Sequence, residues 1–199
     1  MLALTLPLVL ASASPRRREL LHQLGLPFSC VVSGADEHIP PCAPEEMVRR
    51  LAKAKAFAAL PLLKKPSLVI GADTIVVQDG EILGKPADEA DAKAMLSRLQ
   101  GRTHTVLTGV CVLNSESGDY LVDYERTEVT FAEMTGEDID AYVATGEPMD
   151  KAGAYGIQGR CAVHISGISG CYFNVVGLPL HKLSTMLKHF AKPGKEQST

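Results

Sequence analysis

The sequence predicts a mixed α/β fold: a twisted sheet with both parallel and antiparallel pairing, flanked by helices, with a central cleft. Three observations carry this. Short apolar runs at Leu8-Val9-Leu10 and Leu68-Val69-Ile70 are separated by segments of helical period, the pattern of buried strands joined by crossovers. Asp79-Gly80 sits between Ile75-Val76-Val77 and Glu81-Ile82-Leu83, and Asp-Gly supplies the positive φ angles of a tight hairpin turn. Two long β-rich stretches, 103–113 and 120–131, flank the polar turn Asn114-Ser115-Glu116-Ser117-Gly118 and read as an antiparallel pair.

Along the chain, Leu6-Pro7-Leu8-Val9-Leu10 is a first strand. Ser14 then caps a helix whose first residue is Pro15, a position where the missing N–H costs nothing. Leu20, Leu21 and Leu24 make its apolar stripe and Gly25 stops it. Residues 28–32 form a second strand. The helix opening at Pro44 carries Met47, Val48, Leu51, Ala54 and Ala58 as its apolar face, with Glu45 and Glu46 at the positive end of its dipole. Leu68-Val69-Ile70 is a buried strand that runs into Gly71-Ala72-Asp73-Thr74. Residues 88–99 form another helix, ended by Gly101. Thr135-x-x-Asp138 is a capping box opening a helix through Val143. From Lys151 to Gly177 glycines dominate, too irregularly for regular structure throughout and with the backbone freedom of a binding loop. Residues 179–190 carry a last helix. The length of 199 residues suits one domain over residues 1–190, two lobes around a cleft, with 191–199 an unstructured tail.

Composition narrows the function classes. A net charge of −3 provides no general field for nucleic acid or an anionic membrane, so any anion site is local and neither partner is expected. No apolar run is long enough to span a bilayer. The stretch from Leu2 to Ala13 imitates a signal peptide but lacks a preceding Lys or Arg, and a buried strand explains it better. Five cysteines without a C-x-x-C pair argue against a disulfide scaffold or structural zinc and for reduced thiols in the cytoplasm.

Ser12-Ala13-Ser14-Pro15-Arg16-Arg17-Arg18 joins a strand end to a helix start, where free N–H groups and Arg side chains can hold phosphate oxygens. Basic residues at the positive end of a helix dipole repel it, and an anionic ligand relieves that conflict. The Walker pattern is absent. Glu37, beside Asp36, offers an oxygen ligand suited to Mg²⁺ or Mn²⁺, though unaided it reads as a solvated turn. Asp73 follows an apolar strand at its carboxyl end, where open sheets place ligands; it could be a metal ligand, a general base or a buried turn residue. Lys55 and Lys85 are surface lysines by default, and only convergence with Arg16 and Asp73 would give them a role. In Asp150-Lys151-Ala152-Gly153-Ala154-Tyr155-Gly156-Ile157-Gln158-Gly159, small residues let backbone approach a flat ligand, with Tyr155 available for stacking and Gln158 for amide hydrogen bonds.

The 12–17 and 71–74 strings, Gly84-Lys85-Pro86, the 150–159 string and Asn174-Val175-Val176-Gly177-Leu178-Pro179-Leu180 occur in the order seen in the Maf family, which the chain resembles over nearly its whole length. The family is linked to septum formation by its name. It comprises nucleoside triphosphate pyrophosphatases with an α/β fold related to inosine triphosphate pyrophosphatases. The resemblance is closest to the branch acting on dTTP and UTP. It implies Asp73 as proton acceptor, with Lys85 beside it in catalysis, Arg16, Thr74 and Gln158 as determinants of base specificity, and Ser12, Glu37 and Lys55 at further active-site positions. It also implies a divalent metal held by Glu37 and Asp73, and a homodimer. The sibling branch, which takes 7-methyl-GTP, typically replaces the first Arg by a bulky aromatic and places Gln after the Asp, and this sequence does neither. Gly159-Arg160-Cys161 departs from the small residues usual there. A nucleotide sensor that contacts the division machinery without turnover is the alternative from another class.

Overall fold

The computed structural model describes residues 3–32 and 34–191. Seven strands form one sheet in the order β2-β1-β3-β5-β6-β7, with β4 paired to β3. β1 (Leu8–Ala11) is buried on both faces and lies between β2 (Phe28–Val31) and β3 (Leu68–Gln78), parallel to both. The crossovers are α1 (Pro15–His22) and α2 (Pro44–Ala58). β3 then runs antiparallel to β5 (Thr103–Asn114), which pairs with β6 (Tyr120–Phe131), and β6 with β7 (Ile165–Ser169). The β3–β4 turn has Asp79 at φ 53° and Gly80 at φ 81°, and β4 is Glu81–Leu83. α3 (Glu89–Leu99), α4 (Gly136–Val143) and α6 (Leu180–Lys188) fall on predicted helices. In α4 the capping box closes both ways, Asp138 N–H donating to Thr135 Oγ1 at 3.1 Å and Thr135 N–H to Asp138 Oδ2 at 2.8 Å.

The 151–177 segment contains two regular pieces that the sequence pattern does not predict, β7 and the short α5 (Tyr172–Val176). β7 carries Ser-Gly-Ile-Ser and no sustained alternation, so only its pairing with the edge of β6 makes it a strand. Ala191 forms an isolated bridge with Leu4, and the rest of the segment expected to be an unstructured tail lies outside the described residues.

One face of the sheet is covered by α2 and the other by α1, α3, α5 and α6 over the larger core. The buried face of α2 is Val48, Leu51, Ala52 and Ala56, rotated from the expected Met47, Ala54 and Ala58. Its cause lies across the interface. A Cβ at Gly71 would stand 2.2 Å from the Ala52 carbonyl oxygen, and one at Gly109 would stand 2.1 Å from that of Val48. Helix backbone therefore seats directly on strand backbone, and small residues must face that seam.

The pairing of β3 also opens the cleft. β1 flanks β3 only at Leu68, Val69 and Ile70, and β4 pairs along it only from Val76. Residues 71–75 thus lack a strand neighbour on that edge among the described residues. β5 spans the opposite edge continuously, so β3 stays extended through the gap.

Candidate active site

A cleft of about 780 Å³ occupies that gap. Ser12, Arg16, Arg17, Glu37, Lys55, Asp73, Thr74, Lys85 and Gln158 all line it, so the structure brings these nine residues to one place, whereas Arg18 and Asp36 are not among its lining. One positional expectation is corrected. Asp73 does not end its strand but sits in the middle of the 11-residue β3, because pairing with β5 carries β3 past it. Strand ends at the cleft belong instead to β1, whose last residue, Ala11, leads into the 12–14 turn, and to β4, which ends at Leu83. There Ser14 N–H donates to Ser12 Oγ at 3.1 Å, and Ser14 Oγ accepts from Arg17 N–H at 3.4 Å, capping α1.

Asp73 and Thr74, being consecutive in a strand, point to opposite faces of the sheet. On the α2 face, Lys55 Nζ, from the last turn of α2, lies 2.5 Å from Asp73 Oδ1 and 3.1 Å from Glu37 Oε1. Asp73 is buried, and Glu37 reaches in from the exposed 34–38 loop. On the other face Arg17 donates from Nη2 to Thr74 Oγ1 at 3.0 Å and from Nε to the Gly177 carbonyl at 2.8 Å. Burial draws the Arg17 guanidinium below its ordinary value, while the nearby Asp73 charge opposes that shift. Val76, Leu83, Val106, Ile157 and Val176 line the cleft around Thr74. The site therefore has a charged side at Asp73 and an apolar side beyond Thr74, both open through the gap in the sheet.

The far wall is the 150–160 segment. Gly153 N–H donates to the Gly84 carbonyl at 3.0 Å, tying this segment to the strand end that carries the exposed Lys85. Arg16 spans the mouth to Asp150 at 3.4 Å, and Gln158 is exposed on the rim. Tyr155 is corrected from a stacking residue to an anchor: it is only 6% exposed, its ring meets Phe131 and His104 edge-on, and its hydroxyl lies 2.8 Å from His104 Nε2. Tyr142, Glu147 and Thr108 also support the site and fall outside every string quoted above, while Lys151 and Asn174 lie inside two of those strings without having been singled out. Glu147 accepts from the Tyr142 hydroxyl and from Arg160 N–H, both at 3.0 Å, holding the loop that carries Gln158. Thr108 gives no signal, since one threonine in an apolar run is ordinary strand composition.

His104 sets a pH dependence. Burial lowers its pKa from 6.5 to about 4, and among the described residues its Nδ1 has no partner to stabilise a second proton. Between those values the unfolded chain binds a proton that the folded chain refuses, so stability is complete above about pH 6.5 and falls as pH drops towards 4. The expected loss is up to about 3 kcal/mol. Urea midpoints at pH 7.5 and 4.5 should diverge more for the wild type than for His104→Gln, and equal divergence would remove His104 as the cause.

Among the described residues no helix is long and apolar enough to cross a membrane, and all five cysteines are free thiols. The dTTP/UTP pyrophosphatase of Symbiobacterium thermophilum is 56% identical over 187 residues, covering 94% of this chain and 95% of that protein. The dTTP/UTP pyrophosphatase of Moorella thermoacetica is also 56% identical over 187 residues, with 92% and 94% covered, and that of Pelotomaculum thermopropionicum is 54% identical over 184 residues, with 92% and 96% covered. A family model described as Maf-like protein matches residues 7–190. With that match spanning every wall of the cleft, the chain belongs to the Maf family.

Proposed function

We propose that this chain hydrolyses dTTP and UTP between the α and β phosphates, releasing the nucleoside monophosphate and pyrophosphate. The observation that carries the reading is the two-sided cleft, in which a buried carboxylate on one sheet face adjoins cationic groups and an apolar pocket opens on the other. The names of the relatives supply the substrate class.

In this reading the apolar side receives the base, and the triphosphate crosses the gap to the charged side. Ser12 and the start of α1 hold phosphate oxygens, and Arg16, Arg17, Lys55 and Lys85 balance their charge from several directions. Asp73 accepts the proton of the water whose oxygen attacks the α phosphorus, while the bond to the bridging oxygen breaks and pyrophosphate leaves. Lys85, on the opposite rim, meets charge developing on the leaving group.

A divalent cation, Mg²⁺ or Mn²⁺, belongs to the same proposal, with Asp73 and Glu37 as its protein ligands. The donor set fits. Both carboxylates reach a single ammonium, so both can reach a single cation. No group of three or more acidic, His or Cys side chains suited to a metal occurs among the described residues. One or two carboxylates completed by substrate phosphates and water is how Mg²⁺ is commonly bound. Such an ion supplies neutralisation of phosphate charge and a more acidic bound water. A cytoplasmic homodimer is also part of the proposal, carried by the family resemblance alone.

Base selection is assigned to Gln158, with Arg16 and Thr74 setting how deeply the nucleotide sits. The Gln158 amide offers both a donor and an acceptor to the polar edge of thymine or uracil. Pyrophosphate release across a panel of triphosphates tests this. The wild type should turn over dTTP and UTP well above 7-methyl-GTP, and Gln158→Ala should lower kcat/KM for the pyrimidines by about one to two decades without abolishing hydrolysis. A wild type that prefers 7-methyl-GTP, or unchanged ratios in Gln158→Ala, would refute the assignment. No release from any triphosphate would leave a nucleotide-binding protein.

A further inference from the structure

Behind Thr74 runs a chain of buried hydrogen bonds whose direction can be deduced by counting hydrogens. Thr74 Oγ1 and Thr108 Oγ1 are 2.9 Å apart on directly paired residues of β3 and β5. Thr108 Oγ1 lies 2.9 Å from the Asn174 main-chain carbonyl. That carbonyl cannot donate, so the single hydroxyl hydrogen of Thr108 goes to it; any other orientation would set two lone pairs against each other at hydrogen-bond distance. Thr108 is fully buried and has no second hydrogen. Thr74 must therefore donate its own hydrogen to Thr108. Arg17 carries only donors and gives one to Thr74 Oγ1.

The Asn174 end is fixed independently of the cleft. The Asn174 amide Nδ2 donates to the Val106 carbonyl at 3.0 Å and to Thr127 Oγ1 at 2.9 Å, holding α5 and its carbonyl against the sheet. Reversing the chain would therefore leave a buried carbonyl without a donor.

We infer that Thr108 is a positioning residue that makes Thr74 an acceptor only, so that the one lone pair left on Thr74 Oγ1 selects a pyrimidine with a hydrogen on N3. Thr74 is half-buried and lines the cleft beside Val76 and Val106, on the face assigned to the base. Thymine and uracil present N3–H to such an acceptor. Cytosine presents a bare N3, which would face the oxygen lone pair to lone pair. Selection against cytosine thus originates in a residue that never touches the substrate. This rests on the proposed pyrophosphatase activity and on the base lying on the Thr74 face.

The test compares kcat/KM for UTP and CTP in the wild type, Thr108→Val, Thr108→Ser, Thr74→Val and the Thr74→Val/Thr108→Val pair, with thermal unfolding recorded for each. Valine at 108 keeps the shape and frees the Thr74 hydroxyl to turn and donate. The UTP to CTP ratio should fall about tenfold in Thr108→Val and return to within about twofold of wild type in Thr108→Ser. Thr74→Val should lose a similar factor, and adding Thr108→Val to it should change the ratio no further. A purely structural role for Thr108 would lower both substrates equally and leave the ratio intact, which would overturn the inference. Should Thr108→Val not fold, Thr74→Val decides, because a retained ratio there overturns it too. A wild type that releases no pyrophosphate would overturn the proposed activity, whereas one that releases it but does not separate UTP from CTP would overturn this inference and leave the activity standing.

Discussion

Asp73→Asn should lower kcat for dTTP and UTP by roughly two to four orders of magnitude while leaving the fold intact, the scale on which a positioned general base acts. The substitution keeps the shape of the side chain and an oxygen for Lys55, and removes the charge and the proton-accepting capacity. Lys55 also keeps its ion pair with Glu37 at 3.1 Å, so no buried ammonium is stranded by the change. With substrate and divalent cation both saturating, the loss should appear in kcat, because the Arg16, Lys85 and Ser12 contacts proposed for the triphosphate do not involve Asp73. Pyrophosphate release under saturating substrate, with circular dichroism to confirm folding, gives the answer. A folded variant working at the wild-type rate would remove Asp73 from the chemistry.

Gly109→Ala should be strongly destabilising, at about 3 kcal/mol or more. The added carbon would sit 2.1 Å from the Val48 carbonyl oxygen, 2.4 Å from its carbon and 3.0 Å from Arg49 N. These are main-chain atoms in the interior of α2, so no rotamer change relieves the contact and the helix must lift. Against a typical total of roughly 5–15 kcal/mol, that is a large fraction. Lifting α2 would also carry Lys55 away from Asp73, so activity should fall in whatever protein still folds. Gly136→Ala is the matched control, since a Cβ there meets nothing within 4 Å and φ is not positive. Unfolding free energies from urea titration that differ by less than about 0.5 kcal/mol between the two variants would mean the α2 seam is looser than the contacts imply.

Elements whose signals are local are legible in the amino-acid sequence alone. Ser14 with Pro15, Asp79 with Gly80, and Thr135 with Asp138 each place a hydrogen bond or a φ angle within four residues, and each is realised in the fold. The candidate site residues stand out in the sequence for a different reason. Their types suit phosphate, metal and base chemistry, and the strings that contain them resemble one family.

Other features needed partners distant in sequence. The 165–169 segment is a strand because β6 offers it an edge. The apolar face of α2 is turned by two glycines on strands that begin after the helix ends. Tyr155 looks like a stacking ring in sequence and is an anchor because Phe131 and His104 enclose it.

By itself the sequence determined the mixed α/β class and most element boundaries to within a few residues, and it named candidate residues that the fold gathers along one cleft, since all of these depend on residue type and short-range spacing. Only the tertiary structure decided that β1 and β4 flank β3 at its two ends and leave residues 71–75 open between them, with Asp73 facing Lys55 and Thr74 facing Thr108. Strand register and the direction of a hydrogen-bond chain belong to pairs of residues, not to single positions. A linear pattern carries neither until the chain has folded and each donor has met its acceptor.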